Sequence, residues 1–177
     1  MPLVFNENGV LSPGDYPMTI EQLKSSLLVQ GPGGGVPWNQ QKRFMLVTNL
    51  SILVDQLHQV GIDEIFIDGS FVEDKANPSD IDGYFATSPY YLLDIVRDLN
   101  KIDPHKIWTW DWKSRVYDRN SSKPQLPMWY RYKVELYPHV GQESGILDEY
   151  GHQQMFPAAF RKTRDTFLPK GIIKIIK

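Results

Sequence analysis

Between Asn39 and Val60 apolar residues recur at steps of three and four: Phe44, Val47, Leu50, Val54 and Leu57, flanked by Leu46 and Leu53. That period predicts one long amphipathic helix over 39–60, stopped by Gly61. Upstream, Thr19 and Gln22 form a capping-box pattern, and Leu23, Leu27 and Leu28 follow on one face. A short helix from Thr19 is expected there. Beyond Gly61 the period changes. Glu64-Ile65-Phe66-Ile67-Asp68 is short, β-branched and aromatic, and reads as a strand broken by Gly69-Ser70. Asp80-Ile81-Asp82-Gly83-Tyr84-Phe85 reads as a second strand. Ser88-Pro89 then opens a helix that turns Leu92, Val96 and Leu99 to the core. Lys106–Trp112 and Trp129–Tyr137 are further strand candidates, joined by a loop over Asp118–Pro127. The order helix, strand, strand, helix, strand, strand predicts an α/β (α+β) fold, a mixed β-sheet with flanking helices. No repeat or composition break divides the chain, so a single domain over 1–177 is expected.

Composition narrows the chemistry. There is no cysteine among the 177 residues, which excludes disulfides, thiolate metal sites, iron–sulfur clusters and thiol nucleophiles. The net charge of −2 leaves no global basic field. No apolar run reaches the roughly 18 residues of a membrane span, and the first residues lack a secretory leader pattern. A cytoplasmic protein without a membrane partner is expected. Gly31 and Gly33–Gly35 follow a helix and precede Pro37 with no Lys-Ser/Thr after them, so they read as a loop rather than a phosphate cradle. The four histidines, His58, His105, His139 and His152, show no metal-ligand spacing.

One stretch carries chemistry: Gly69-Ser70, nine residues, then Asp80-Ile81-Asp82. Side chains alternate along a strand, so Asp80 and Asp82 project to the same side. Two adjacent carboxylates must be solvated, share a proton or hold a cation. An all-oxygen site of this kind suits Mg²⁺ or Mn²⁺. Gly69 permits close approach of a ligand to the backbone, and the turn's N–H groups with the Ser70 hydroxyl suit phosphate. A phosphate grip beside a divalent metal points to a nucleoside triphosphate. The plainer alternative makes Asp80 a turn cap after Pro78-Ser79, Asp82 a solvated edge residue and Ser70 a turn residue.

Gly69-Ser70-x9-Asp80-Ile81-Asp82 resembles the signature of the nucleotidyltransferase superfamily, the fold of DNA polymerase beta. In that family one strand enters the Gly-Ser turn, a second carries two acids, and a third acid lies on a later strand between apolar neighbours. Val134-Glu135-Leu136 has that form. The resemblance implies that Asp80, Asp82 and Glu135 are the catalytic metal ligands and that Gly69 and Ser70 contact the nucleotide's phosphates. It covers about 61–138. The early Asn8–Gly14 and late Pro169–Ile172 segments also resemble a small uncharacterised bacterial stand-alone group of the superfamily. Three positions depart from the pattern. Asp68 and Gly83 stand where apolar residues are usual, and the third acid is Glu rather than Asp.

The near-neutral total hides segregated charge. Acids crowd 63–82, whereas Lys113, Arg115, Arg119, Lys123, Arg131 and Lys133 lie among aromatic residues with Asp118 the single acid between Lys113 and Lys133. The segment 159–177 is basic as well. Pro169 and Gly171 mark a turn at Lys170, so Arg164 or Lys170 is expected to reach the triphosphate or a polyanionic acceptor; the alternative is a solvated basic face. The resulting expectation is an enzyme that moves a nucleoside monophosphate from an NTP to a hydroxyl of a protein, RNA or small molecule. Two alternatives stand beside it. One is a catalytically weak or inactive nucleotide-binding partner, since small proteins resembling this superfamily often belong to toxin–antitoxin or phage-defence pairs. The other is a nucleic-acid-binding protein that uses the aromatic-basic segment.

Overall fold

The computed structural model describes residues 3–119 and 123–177. Its centre is a five-stranded sheet in the order β1 (Asp15–Met18), β9 (Ile172–Ile175), β2 (Ile65–Asp68), β3 (Ile81–Ala86) and β6 (Val134–His139). β1 with β9 and β3 with β6 run parallel, while β2 is antiparallel to both β9 and β3. The sheet is therefore mixed and is flanked by helices, as expected.

The helices pack mainly against one face. α3 (Gln40–Gln59) buries Leu46, Val47, Leu50, Leu53, Val54 and Leu57 in one core with Ile65, Ile67, Ile81, Phe85, Val134, Leu136, Ile173 and Ile175. Each such side chain is worth about 1.5–3 kcal/mol when fully buried, so this contact dominates the fold. α1 (Ile20–Ser25) and α2 (Leu27–Gln30) add Leu23, Leu28 and Val29 to it, and α4 (Leu92–Ile102) adds Leu99. The other face carries a smaller cluster of Phe66, Tyr84 and Ile172, against which Phe156 and Phe160 pack from α6 (Phe156–Ala159) and its end. Strand alternation separates the two sets: Ile65 and Ile67 face α3, Phe66 faces away.

Local signals set several boundaries. The Thr19–Gln22 capping box is formed in both directions. The expected helix from Thr19 is split, because the Ser26 hydroxyl caps a second short helix. Asn39 caps α3 by accepting from the Lys42 N–H at 3.0 Å. Phe44, expected on the buried stripe, is 47% exposed, and Arg43 is fully buried instead. α4 begins at Leu92 rather than at Pro89, and the Ser88 hydroxyl caps only the Tyr90 N–H.

Two expected strands differ. Lys106–Trp112 forms no ladder. The Asn100 side chain bonds both the N–H and the C=O of Trp108, replacing a neighbouring strand, and Trp108 Nε1 donates to Gln56 at 2.7 Å. Trp129–Tyr137 is half helix: α5 (Pro127–Tyr132) opens on Pro127, Lys133 turns left-handed, and β6 follows. The expected loop over Asp118–Pro127 follows β4 (Val116–Tyr117) and contains β5 (Pro124–Gln125), which pair as a two-stranded ribbon, and its residues 120–122 lie outside the described residues. A hairpin of β7 (Glu143–Leu147) and β8 (Gln153–Met155) precedes α6.

Arg43 explains its own burial. Its guanidinium donates to the carbonyls of Leu28 and Phe71, both at 2.7 Å, and of Glu73 and Lys75. It also stacks 3.9 Å from the Trp38 ring. Burial lowers its pKa to about 10, with Asp74 opposing, so it stays charged at neutral pH. Arg43→Leu is expected to leave those buried carbonyls unpaired and cost about 3 kcal/mol or more. Arg43→Lys should fall between, because an ammonium lacks the fork that serves four acceptors. Urea unfolding of the three proteins checks the order.

Candidate active site

The turn after β2 is built around a glycine. Gly69 has φ +75°, a conformation that side-chain-bearing residues rarely adopt. A Cβ there would also lie 3.0 Å from the Asp82 Cβ and collide with the Asp82 carboxylate. Gly69 thus lets the turn and β3 close upon one another. The chain continues as a single 3₁₀ turn, Gly69–Val72, which buries Phe71 and Val72 and leaves Ser70 half-buried. Among the described residues none bonds the Ser70 hydroxyl.

Register then lines up the acids. Asp68 on β2 is the Cα partner of Asp82 on β3, and Asp82 is the partner of Glu135 on β6. Paired residues share a face, so three carboxylates stand side by side across three adjacent strands. They lie two residues from Phe66, Tyr84 and Tyr137, on the face away from α3. Gly83, one of the departures from the signature, has a packing cause. A Cβ on Gly83 would strike the Phe66 carbonyl and come 2.9 Å from Leu136 Cδ2.

The row is electrostatically unbalanced. Burial pushes the Asp82 carboxyl up to about 7; Asp80 and Glu135 push the same way and Lys123 pulls back. Glu135 is buried, its Oε1 has no hydrogen-bond partner among the described residues, and its Oε2 accepts from the Tyr137 hydroxyl at 3.2 Å. That hydroxyl in turn accepts from Arg115 Nη2 at 3.2 Å. Burial, with Glu135 adding to it, raises the Tyr137 pKa to about 12, so the phenol stays protonated and donates.

Asp80 stands just before β3. Its Oδ2 accepts from Trp129 Nε1 at 2.7 Å and its Oδ1 accepts from Ser79 at 2.9 Å. As the side chains stand, no group of three acidic or imidazole side chains among the described residues is arranged to hold a metal ion. The backbone gathers Asp82 and Glu135, whereas Trp129 holds the Asp80 carboxylate.

Lys170 is also placed differently from expectation. It is 4% exposed, with Nζ 3.0 Å from Asp68 Oδ1 and 2.6 Å from Glu73 Oε1. Burial works against its charge, but the two carboxylates outweigh that and hold its pKa above the ordinary lysine value. One cation between two acids leaves one negative charge over. The more buried Asp68 takes the strain, and burial lifts its pKa to about 7 despite Lys170. The tail is not free to fold over a cleft, because Ile172–Ile175 is the strand between β1 and β2. Arg164 is exposed and makes no side-chain bond among the described residues. Arg161, rather than Arg164, turns to the sheet, where it pairs with Asp15 and meets Tyr84.

A family model spans residues 3–176, nearly the whole chain, and describes a family of unknown function, DUF6932. The chain belongs to that family. No curated protein and no solved structure matches it. For DUF6932, then, the site geometry itself is the guide to chemistry. Sequence patterns alone did not bring Asp68, Tyr137, Arg115 and Trp129 into the site. Asp68 was visible as a charged residue ending an apolar strand, but its alignment with Asp82 depends on register.

The charge imbalance sets a pH dependence. Asp82 binds its proton more tightly folded, about 7, than unfolded, near 3.8. Between those values the native state holds more protons, so stability falls as pH rises from about 4 to about 7. Asp82→Asn should match the wild type near pH 4 and exceed it above pH 7, by on the order of 2 kcal/mol. Asp68 acts with the same sign, so the variant keeps part of the slope. Chemical unfolding across that pH range in EDTA checks it; equal slopes in both proteins would contradict it.

Proposed function

We propose that this protein is a divalent-metal-dependent nucleotidyltransferase, moving a nucleoside monophosphate from an NTP to an acceptor hydroxyl. One observation carries the proposal. A left-handed Gly69 packs directly on Asp82, and Asp82 lies beside the buried Glu135, whose Oε1 lacks a hydrogen-bond partner among the described residues. Buried, uncompensated carboxylate oxygens next to a glycine turn fit a hard divalent cation that holds phosphate. Asp82 and Glu135 would be the ligands, with Asp80 joining when it leaves Trp129. When bound, Mg²⁺ or Mn²⁺ supplies charge neutralisation for the triphosphate and lowers the pKa of the acceptor hydroxyl.

The chain's own groups take the remaining parts. The N–H groups after Gly69 and the free Ser70 hydroxyl donate to phosphate oxygens. Glu135 accepts the proton of the attacking hydroxyl at Oε1, while Tyr137, held by Arg115, fixes Oε2. The hydroxyl oxygen bonds to the α-phosphorus, the bond to the bridging oxygen breaks, and pyrophosphate leaves. Catalysis on these lines is mainly positioning and charge stabilisation.

A second proposal, nucleotide binding without turnover, is favoured by Asp80. Its carboxylate is held by an indole N–H rather than turned to the row. Incubation with α-³²P-labelled NTP, Mg²⁺ and a lysate separates the two. Transfer predicts labelled product and released pyrophosphate, reduced at least about 100-fold in Asp82→Asn and in Glu135→Gln. Binding alone predicts an NTP-induced rise in Tm that needs Mg²⁺ or Mn²⁺, with no product. An equal rise in EDTA would remove the acidic row from both.

A further inference from the structure

The ribbon beside the acidic row has an unusual surface. Residues 111–133 carry six Lys or Arg against two acids, +4, in a chain whose total is −2. The same segment leaves large apolar side chains in solvent: Trp112 is 73% exposed, Tyr117 70%, Val116 58% and Tyr130 38%. Exposed apolar groups that cluster on one short ribbon among cations mark a contact surface more than the same groups scattered singly would. β4 and β5 form an isolated two-stranded ribbon, so Val116 and Tyr117 have no sheet to cover them. α5 props it: the Tyr130 hydroxyl donates to the Val116 carbonyl at 2.9 Å.

Cations sit among the rings. Arg115 lies 5.8 Å from the Trp112 ring, and Lys133 lies 3.2 Å from the Trp129 ring and 5.9 Å from that of Tyr130. Lys113 and Arg119 are exposed and make no ion pair among the described residues. Free cations between accessible aromatic faces match a strand of phosphates carrying unstacked bases. A duplex would offer no base faces, and an acidic peptide would offer no rings to stack.

We infer that the aromatic-basic face formed by residues 111–119 and 123–133 is a docking surface for single-stranded nucleic acid. Trp112 and Tyr117 stack on bases, and Lys113 and Arg119 pair with phosphates. The same segment reaches the acidic row by two contacts, Arg115 to Tyr137 to Glu135 and Trp129 to Asp80, so a docked strand leads towards those carboxylates. Docking itself does not depend on nucleotidyl transfer, and is measured where transfer cannot run.

The probe is a fluorescein-labelled 15-mer of mixed sequence, as RNA and as DNA, titrated with the full chain in EDTA without nucleotide. Anisotropy should rise with at least one of the two, and their comparison tells which sugar is preferred. Trp112→Ala and Tyr117→Ala should each weaken binding about tenfold. Lys113→Ala and Arg119→Ala should each reduce the salt dependence of affinity by about one phosphate contact. Tyr90→Ala, an exposed aromatic outside the segment, should leave affinity unchanged. All these side chains are exposed, and matched Tm values confirm folding. Failure of both oligonucleotides to bind would overturn the inference. Affinity untouched by the two aromatic substitutions would overturn it too, as would polyglutamate competing as well as the oligonucleotide, since an acidic protein would then be the better partner.

Discussion

The Arg43 guanidinium is the single group on which the site's geometry rests. It sits on the helix behind the sheet yet bonds carbonyls at residues 28, 71, 73 and 75. Three of those belong to the segment that follows Gly69. A turn with a left-handed glycine has no ladder of its own, so its carbonyls need partners from elsewhere. Arg43 supplies them from α3, which the largest core already fixes against β2 and β3. Hydrophobic packing thereby sets the position of a polar turn, and the turn in turn abuts Asp82. The cost is a buried cation, met by four acceptors and the Trp38 face.

Charge on the other face follows a different rule. Asp68, Asp82 and Glu135 stand abreast, and Asp68 has the Lys170 ammonium at contact distance. Lys170 sits at the entry to β9, so the ion pair also joins the chain's last strand to the strand before the glycine turn. Truncating one member of such a buried group leaves the others uncompensated, which is why it acts as a structural clasp. Among the described residues Asp82 and Glu135 have no ion pair at contact distance, and Lys123 only partly offsets the charge at Asp82. Burying carboxylates with so little compensation is costly to a fold, and a ligand that supplies positive charge there would recover that cost.

Much of this was legible. The long helix, β2, β3 and the Gly69-Ser70 turn all follow from period, β-branching and glycine, because each signal is local. The mixed sheet follows from element order. What failed was also physical. Lys106–Trp112 has strand composition, but Asn100 occupies its hydrogen-bonding edge, and no pattern within the segment announces that. Trp129–Tyr137 hid the end of a helix that starts upstream at Pro127, and a left-handed Lys133. Phe44 and Arg43 exchange places against hydropathy because four carbonyls outrank one ring. In the site, the acids were readable from spacing, but their alignment depends on strand register, and Asp80's bond to Trp129 joins segments 49 residues apart.

The two faces of the sheet thus divide labour. The α3 side carries nearly all the apolar burial, and the opposite side carries the carboxylates under a smaller aromatic cap of Phe66, Tyr84, Phe156 and Phe160. That cap covers the half of the face over Phe66 and Tyr84, two residues along β2 and β3 from Asp68 and Asp82. Stability held on one face frees the other to keep charges that folding alone would not choose. The basic ribbon at 111–133 borders this acidic half, and Arg115 and Trp129 link the two by hydrogen bonds. Both contacts end on carboxylate chemistry: one steadies the Tyr137 donor to Glu135, the other holds Asp80. A ligand that displaced either contact would change the charge seen by Asp82, so the ribbon and the row form one electrostatic unit although they lie on separate sheets.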